Sequence, residues 1–139
     1  MSKFQSLTKY LHLIYNDEFG EWVIDRENDG TKEHPIQFPY VNYSEMVTAF
    51  VKDVYAFDEE HKEFELNRYG ETLEKNGIDW GRKSMSNADV STLDAKCVLA
   101  LIVGAVRAER FCDGALLEFF ENGSVRKWLT RLLEIDAKK

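Results

Sequence analysis

The sequence is short of the residues that mark fibrous, disulfide-bonded or membrane proteins. Two prolines and eight glycines in 139 residues exclude a collagen-like or Pro/Gly-rich disordered chain. Two cysteines, Cys97 and Cys112, exclude a disulfide scaffold. On one continuous helix they would stand about 22 Å apart, too far to pair. Both are therefore expected to pack as small hydrophobic side chains. The longest apolar run, Cys97 to Val106, is ten residues, half of what a membrane span needs. The opening MSKFQSLTKY lacks the apolar core of a secretion signal, so the expected location is cytoplasmic. Cations are also in deficit: 18 Lys and Arg against 25 Asp and Glu leave a net charge of -7. That balance disfavours binding to a nucleic-acid backbone.

Chemical motifs are missing too. The sequence contains no Gly-x-Gly-x-x-Gly and no phosphate loop. It has no His-x3-His, Glu-x-x-His or paired-Cys spacing, so no metal and no cofactor is expected. Glu59, His61 and Glu63 are close in sequence, but the two carboxylates share a helical face that His61 leaves.

What is present is the material of a core. Hydrophobic residues make up 44% of the chain, with nine Phe, six Tyr and three Trp. The length fits one domain, residues 1–139. Apolar residues recur at helical spacing in several segments, and no long alternating strand competes. The predicted fold is an all-α, compact single-domain bundle of five or six helices. A central buried helix runs from about 93 to 111, capped by Ser91 or Asp89. Around it the spacing predicts helices over 2–15, 44–60 (capped by Asn42 or Ser44), 67–76, 115–120 and 124–135, the last capped by Ser124. Helices 44–60 and 124–135 are expected to be the large neighbours of the central one. Loops are expected at about 16–42 and 77–90. The first holds His34-Pro35 and Phe38-Pro39-Tyr40, packed down in extended form, and a short strand at 21–25 pairing with 36–41 is compatible with it. Gly77 fits the left-handed position after a helix. Gly104 inside the central helix costs about 1 kcal/mol of propensity against alanine, which a close crossing by another helix would justify.

Charge is uneven. Residues 124–139 carry five cations against Glu134 and Asp136, a net +3, which leaves -10 for the rest. A basic last helix suits the helix dipole, or meets an acidic surface of a partner or of its own domain.

The segment with most chemical content is Arg107-Ala108-Glu109-Arg110-Phe111-Cys112-Asp113-Gly114, directly after the apolar run. On a continuous helix, Arg107 and Arg110 are three apart and Glu109 and Asp113 four apart. Two readings are open. In the first, the guanidiniums pair with the carboxylates and hold a helix-loop junction. In the second, Arg107 and Arg110 hold an anionic ligand, and Glu109 or Asp113 acts as an acid, a base or a water-positioning group. Arg110 is expected to be paired inside the domain, because an unpartnered buried guanidinium is very costly. Trp80 closes one end of the core or stacks on a ligand.

The run Arg107-Ala-Glu-Arg-Phe-Cys-Asp-Gly-Ala-Leu-Leu resembles the signature of an uncharacterised family of small, mostly bacterial helical proteins, a domain of unknown function. Phe38-Pro39-Tyr40, Asn67-Arg-Tyr69 and the closing Gly-x-x-x-x-Trp-Leu carry the likeness over most of the chain. The resemblance implies that Arg107, Glu109, Arg110, Phe111 and Asp113 are characteristic residues, and it brings no catalytic roles. The sequence thus ranks a non-catalytic binding or protein-interaction module first, acting on a protein or a small anionic molecule. A small hydrolase or transferase using the Arg107/Glu109/Arg110/Asp113 cluster is the alternative.

Overall fold

The computed structural model describes residues 3–14, 17–23 and 40–137. The expected packed loop around His34-Pro35 and Phe38-Pro39 lies outside them. The axis of the fold is the helix Ala95–Ala108 (α6). Every residue from Cys97 to Val106 is buried, as a helix apolar on all sides requires. Its cap is Asp94, whose carboxylate accepts from the Cys97 amide at 3.0 Å. Asp89 instead serves the preceding 3₁₀ turn, Val90–Thr92, accepting from Ser91 N. The helix stops at Ala108, short of the expected 111.

The first predicted helix is divided into Gln5–Thr8 (α1) and Leu11–Ile14 (α2). At the break, Tyr10 turns its ring edge-on to Phe50 and its hydroxyl donates to Asp53 at 2.5 Å. Ser44 caps Glu45–Glu60 (α3), while Asn42 belongs to a strand. The buried aromatic rings of α3 find their ring partners outside α6. Phe50 meets Tyr10 and Phe120, and Phe57 meets Phe4 and Phe64. The closest neighbours of α6 are accordingly the short helix Tyr69–Lys75 (α4) and the last helix Ser124–Ala137 (α8), with α3 touching it over fewer residues. After α4, Gly77 adopts φ +75° and Ile78 N donates to Leu73 O at 2.9 Å, the closure expected of a left-handed glycine cap.

The expected loop 77–90 contains a further helix, Arg82–Asn87 (α5). Its one fully buried side chain is Met85, so it has no apolar periodicity to reveal it. Cations of α8 hold this region. Lys127 Nζ donates to the carbonyls of Ser86 and Ala88 at 2.7 and 3.0 Å, and Arg131 Nε to that of Leu93 at 3.1 Å. The remaining helix, Ala115–Glu121 (α7), lies between the turn after α6 and α8. The amide of Ser124 is taken by Asn122 Oδ1 at 2.9 Å, so Asn122 caps the entry to α8 and Ser124 is its first residue.

One hairpin departs from the all-helical pattern. Gly20–Val23 (β1) pairs antiparallel with Tyr40–Tyr43 (β2), Gly20 opposite Tyr43 and Val23 opposite Tyr40. It is tied to the start of α3 by Ser44 N to Phe19 O and by Ser44 Oγ to Asp17. Its Trp22 and Tyr43 reach the turn that follows α6, at Gly114 and Glu109.

Candidate functional site

The segment 107–114 starts on the last turn of α6 and leaves it at Glu109. Turn bonds carry the coil on to Cys112, whose amide donates to Ala108 O at 3.0 Å, but spacing alone does not make the expected carboxylate–guanidinium pairs. No such pair forms within the segment. The side chains divide between two sides of the chain.

Glu109 turns toward the start of α7. Its carboxylate accepts from Gly114 N (3.1 Å to both oxygens), from Leu116 N (3.0 Å) and from the hydroxyl of Tyr43 (2.6 Å). Tyr43 Oη in turn accepts from Leu117 N at 3.0 Å. Hairpin, turn and α7 are thus joined through one carboxylate. Burial, and then the hydrogen bond to Glu109, raises the Tyr43 hydroxyl well above its ordinary value near 10.0.

Arg110 is exposed and has no carboxylate partner among the described residues. This overturns the expectation of an internal ion pair. Its guanidinium lies 6.0 Å from the centre of the Tyr55 ring, and that of Arg107 lies 5.7 Å from the same ring. Arg107 Nε is buried without an acceptor. Beside them is a cleft of about 320 Å³ whose wall includes Tyr43, Thr48, Tyr55, Glu109 and Arg110.

On the other side, Phe111, Cys112, Asp113 and Gly114 face a larger cleft of about 640 Å³. Trp22 from β1, Trp80 from the loop before α5, and Arg82, Lys83 and Met85 from α5 complete much of its wall. Trp80 is held by its indole N–H, which donates to Gly104 O at 3.1 Å, and its ring meets Phe111 edge-on at 5.6 Å. Trp80 thus covers the core at Gly104, the first of its two expected roles, and also lines the cleft. Arg82 pairs with Glu118 at 2.9 Å along the wall. Asp113 and Cys112 are exposed, which corrects the expectation that both cysteines pack inside; Cys97 alone does. Gly114 takes φ +90° directly under Trp22. A Cβ there would come within 2.3 Å of the indole, so glycine is required by contact as well as by conformation.

Of the sequence candidates, Trp80 and Asp113 thus share the large cleft, Glu109 and Arg110 the small one, and Arg107 meets the Tyr55 ring beside it. Trp22, Tyr43 and Tyr55 were not among the candidates. Each comes from a segment distant in sequence, and only the aromatic count pointed to them. Among the described residues no group of three or more His, Cys, Asp or Glu is placed to hold a metal ion, and no helix is long and apolar enough to cross a membrane.

A family model matches residues 1–138. The chain belongs to the family of unknown function DUF6508. The match spans hairpin, bundle and both clefts, so all of these lie within the DUF6508 domain. No curated protein and no solved structure matches the chain.

Proposed function

We propose that this DUF6508 domain is a non-catalytic binding module whose ligand is a small molecule with a planar, apolar ring system, held in the larger cleft. One observation carries the reading. Trp22, Trp80 and Phe111 are 48%, 43% and 76% exposed, three of the six large apolar side chains exposed among the described residues, and all three line the same cleft. Scattered surface hydrophobics are ordinary, whereas a concave convergence of aromatic rings is what a ligand site presents. The volume of about 640 Å³ falls in the range of small-molecule sites. Trp80 is fixed by its bond to Gly104, so its ring is presented without further ordering. The polar groups in the wall, Lys83, Asp113 and the Arg82–Glu118 pair, suit orientation of a polar substituent.

The catalytic alternative has less support. Glu109 is committed to three donors and Asp113 stands on the other side of the segment from both arginines.

Tryptophan fluorescence tests the reading against a library of planar aromatic compounds. Trp128 is fully buried and serves as an internal reference. A ligand of the cleft quenches Trp22 and Trp80, leaves Trp128 unchanged, and loses at least tenfold in affinity in Trp80→Ala. Failure of the whole library, with capture instead of a protein segment that protects Trp22 and Trp80, refutes the small-molecule reading.

A further inference from the structure

We propose that the smaller cleft, on the opposite side of the 107–114 segment, binds the oxyanion of a small amphipathic acid, a carboxylate or a phosphate monoester, beside Arg107 and Arg110. The argument is independent of the aromatic cleft. Two guanidiniums converge on the Tyr55 ring, at 5.7 and 6.0 Å from its centre, and neither has a carboxylate partner among the described residues. A shared ring attracts each cation only weakly and neutralises neither charge. The nearest acid in sequence, Glu109, is held by Tyr43 Oη, Gly114 N and Leu116 N, and is not bonded to either arginine. Arg107 Nε is moreover a buried donor with no acceptor, a condition that native proteins rarely leave unanswered. Arg110 stands in the wall of the cleft with Arg107 at the Tyr55 ring, and an oxyanion there supplies acceptors to a guanidinium fork that binds such groups bidentately.

The rest of the cleft indicates what is attached to that anion. Val47, Val106 and Leu116 are buried in its wall, with Val51 partly so, while Thr48 and Arg110 are exposed. An apolar floor below a cationic rim suits a short hydrocarbon chain ending in a charged group. Its volume, about 320 Å³, restricts the ligand to a small one.

Calorimetric titration with butanoate, pentanoate, hexanoate and hexyl phosphate, at low salt, tests this, with acetate and inorganic phosphate as headgroups lacking the chain. Saturable binding is expected, stronger by about fourfold for each methylene from butanoate to hexanoate. The tighter of hexanoate and hexyl phosphate identifies the headgroup. Arg110→Gln should weaken binding by about tenfold to a hundredfold with an unchanged melting temperature, since the side chain is exposed. Arg110→Lys, which keeps the charge, should recover part of the loss. Trp80→Ala should bind hexanoate like the natural chain, which separates this site from the aromatic one. No saturable binding of either amphiphile overturns the proposal. So does equal binding by Arg110→Gln, or an affinity that ignores chain length.

Discussion

The indole N–H of Trp80 donates at 3.1 Å to the carbonyl of Gly104, in the middle of the buried helix. A helical carbonyl keeps a second lone pair for such a bond, and the missing side chain at Gly104 lets the ring reach it. A Cβ at that position would lie 3.0 Å from Met85 Cε and 3.3 Å from Trp80 Cδ1. The close approach expected at this glycine is therefore made by two side chains from the 80–87 segment. Gly104→Leu should overpack this contact at a cost of about 1–3 kcal/mol, enough to outweigh a propensity gain of about 1 kcal/mol. Urea denaturation should show a lower midpoint for the leucine variant. For Gly104→Ala, the flexible Met85 methyl and the edge of the Trp80 ring have to give by only a few tenths of an ångström, and the midpoint should barely change. A leucine variant more stable than the natural chain would disprove the contact.

Glu109 is a joint between three elements. Gln would keep its shape but set an N–H₂ group against Tyr43 Oη or the amides of Gly114 and Leu116. Glu109→Gln is expected to cost about 1.5–3 kcal/mol, the range for hydrogen bonds to a charged group. Tyr43→Phe should recover little, since it leaves the amide of Leu117 without its acceptor. A thermal melt that does not move in Glu109→Gln would return the carboxylate to the list of candidate bases.

Two tyrosines give an alkaline signature. Burial first, then hydrogen bonds to Asp53 and Glu109, raises the hydroxyls of Tyr10 and Tyr43 far above their ordinary value near 10.0. In the unfolded chain both ionise near that value, so above it the unfolded state binds fewer protons than the native one. Their contribution to stability is then fully present below about pH 10 and declines as pH rises beyond it. Ultraviolet titration of the native protein should show Tyr10 and Tyr43 ionising only as the chain unfolds. Two fewer late-titrating groups are expected in the double Phe variant. Smooth titration of all six tyrosines near pH 10 would contradict both bonds.

The sequence was most readable where one physical signal acts alone. The ten-residue apolar run specified a buried helix, Asn42 or Ser44 bracketed the start of α3, where Ser44 is the cap, and Gly77 specified the end of α4. Legibility failed where a contact across the fold decides the conformation. Only Met85 marks α5 as more than a polar loop, and it becomes informative once Gly104 is known to lie beneath it. The 107–114 segment shows the same limit. Its residue types announced a charged cluster, but reading it as helix placed arginines beside acids. The amides of Gly114 and Leu116 draw Glu109 away, and Tyr55, distant in sequence on α3, takes both guanidiniums. Of the larger cleft, Trp80 and Asp113 stood out singly in the sequence, but Trp22 and Phe111 join them only through the hairpin and the turn.

The two thiols should differ sharply. Cys97 is enclosed in α6, where burial, and then the charge of Asp94, pushes its thiol up to about 11. Cys112 is exposed in the wall of the aromatic cleft. The thiolate is the reacting form, so burial and a raised pKa both protect Cys97. At pH 8 an aromatic disulfide reagent should label one thiol in the native protein and two in denaturant. Cys112→Ser should abolish the native reaction. The label left on Cys112 sits in the cleft lined by Trp22 and Trp80, so it should quench their emission and spare that of buried Trp128. It should also block any planar ligand of that cleft, while hexanoate binding at the opposite cleft survives. Equal labelling of both thiols in the native state would mean that α6 is not enclosed. Labelling of Cys112 without quenching would separate the thiol from the aromatic rings and remove it from the cleft.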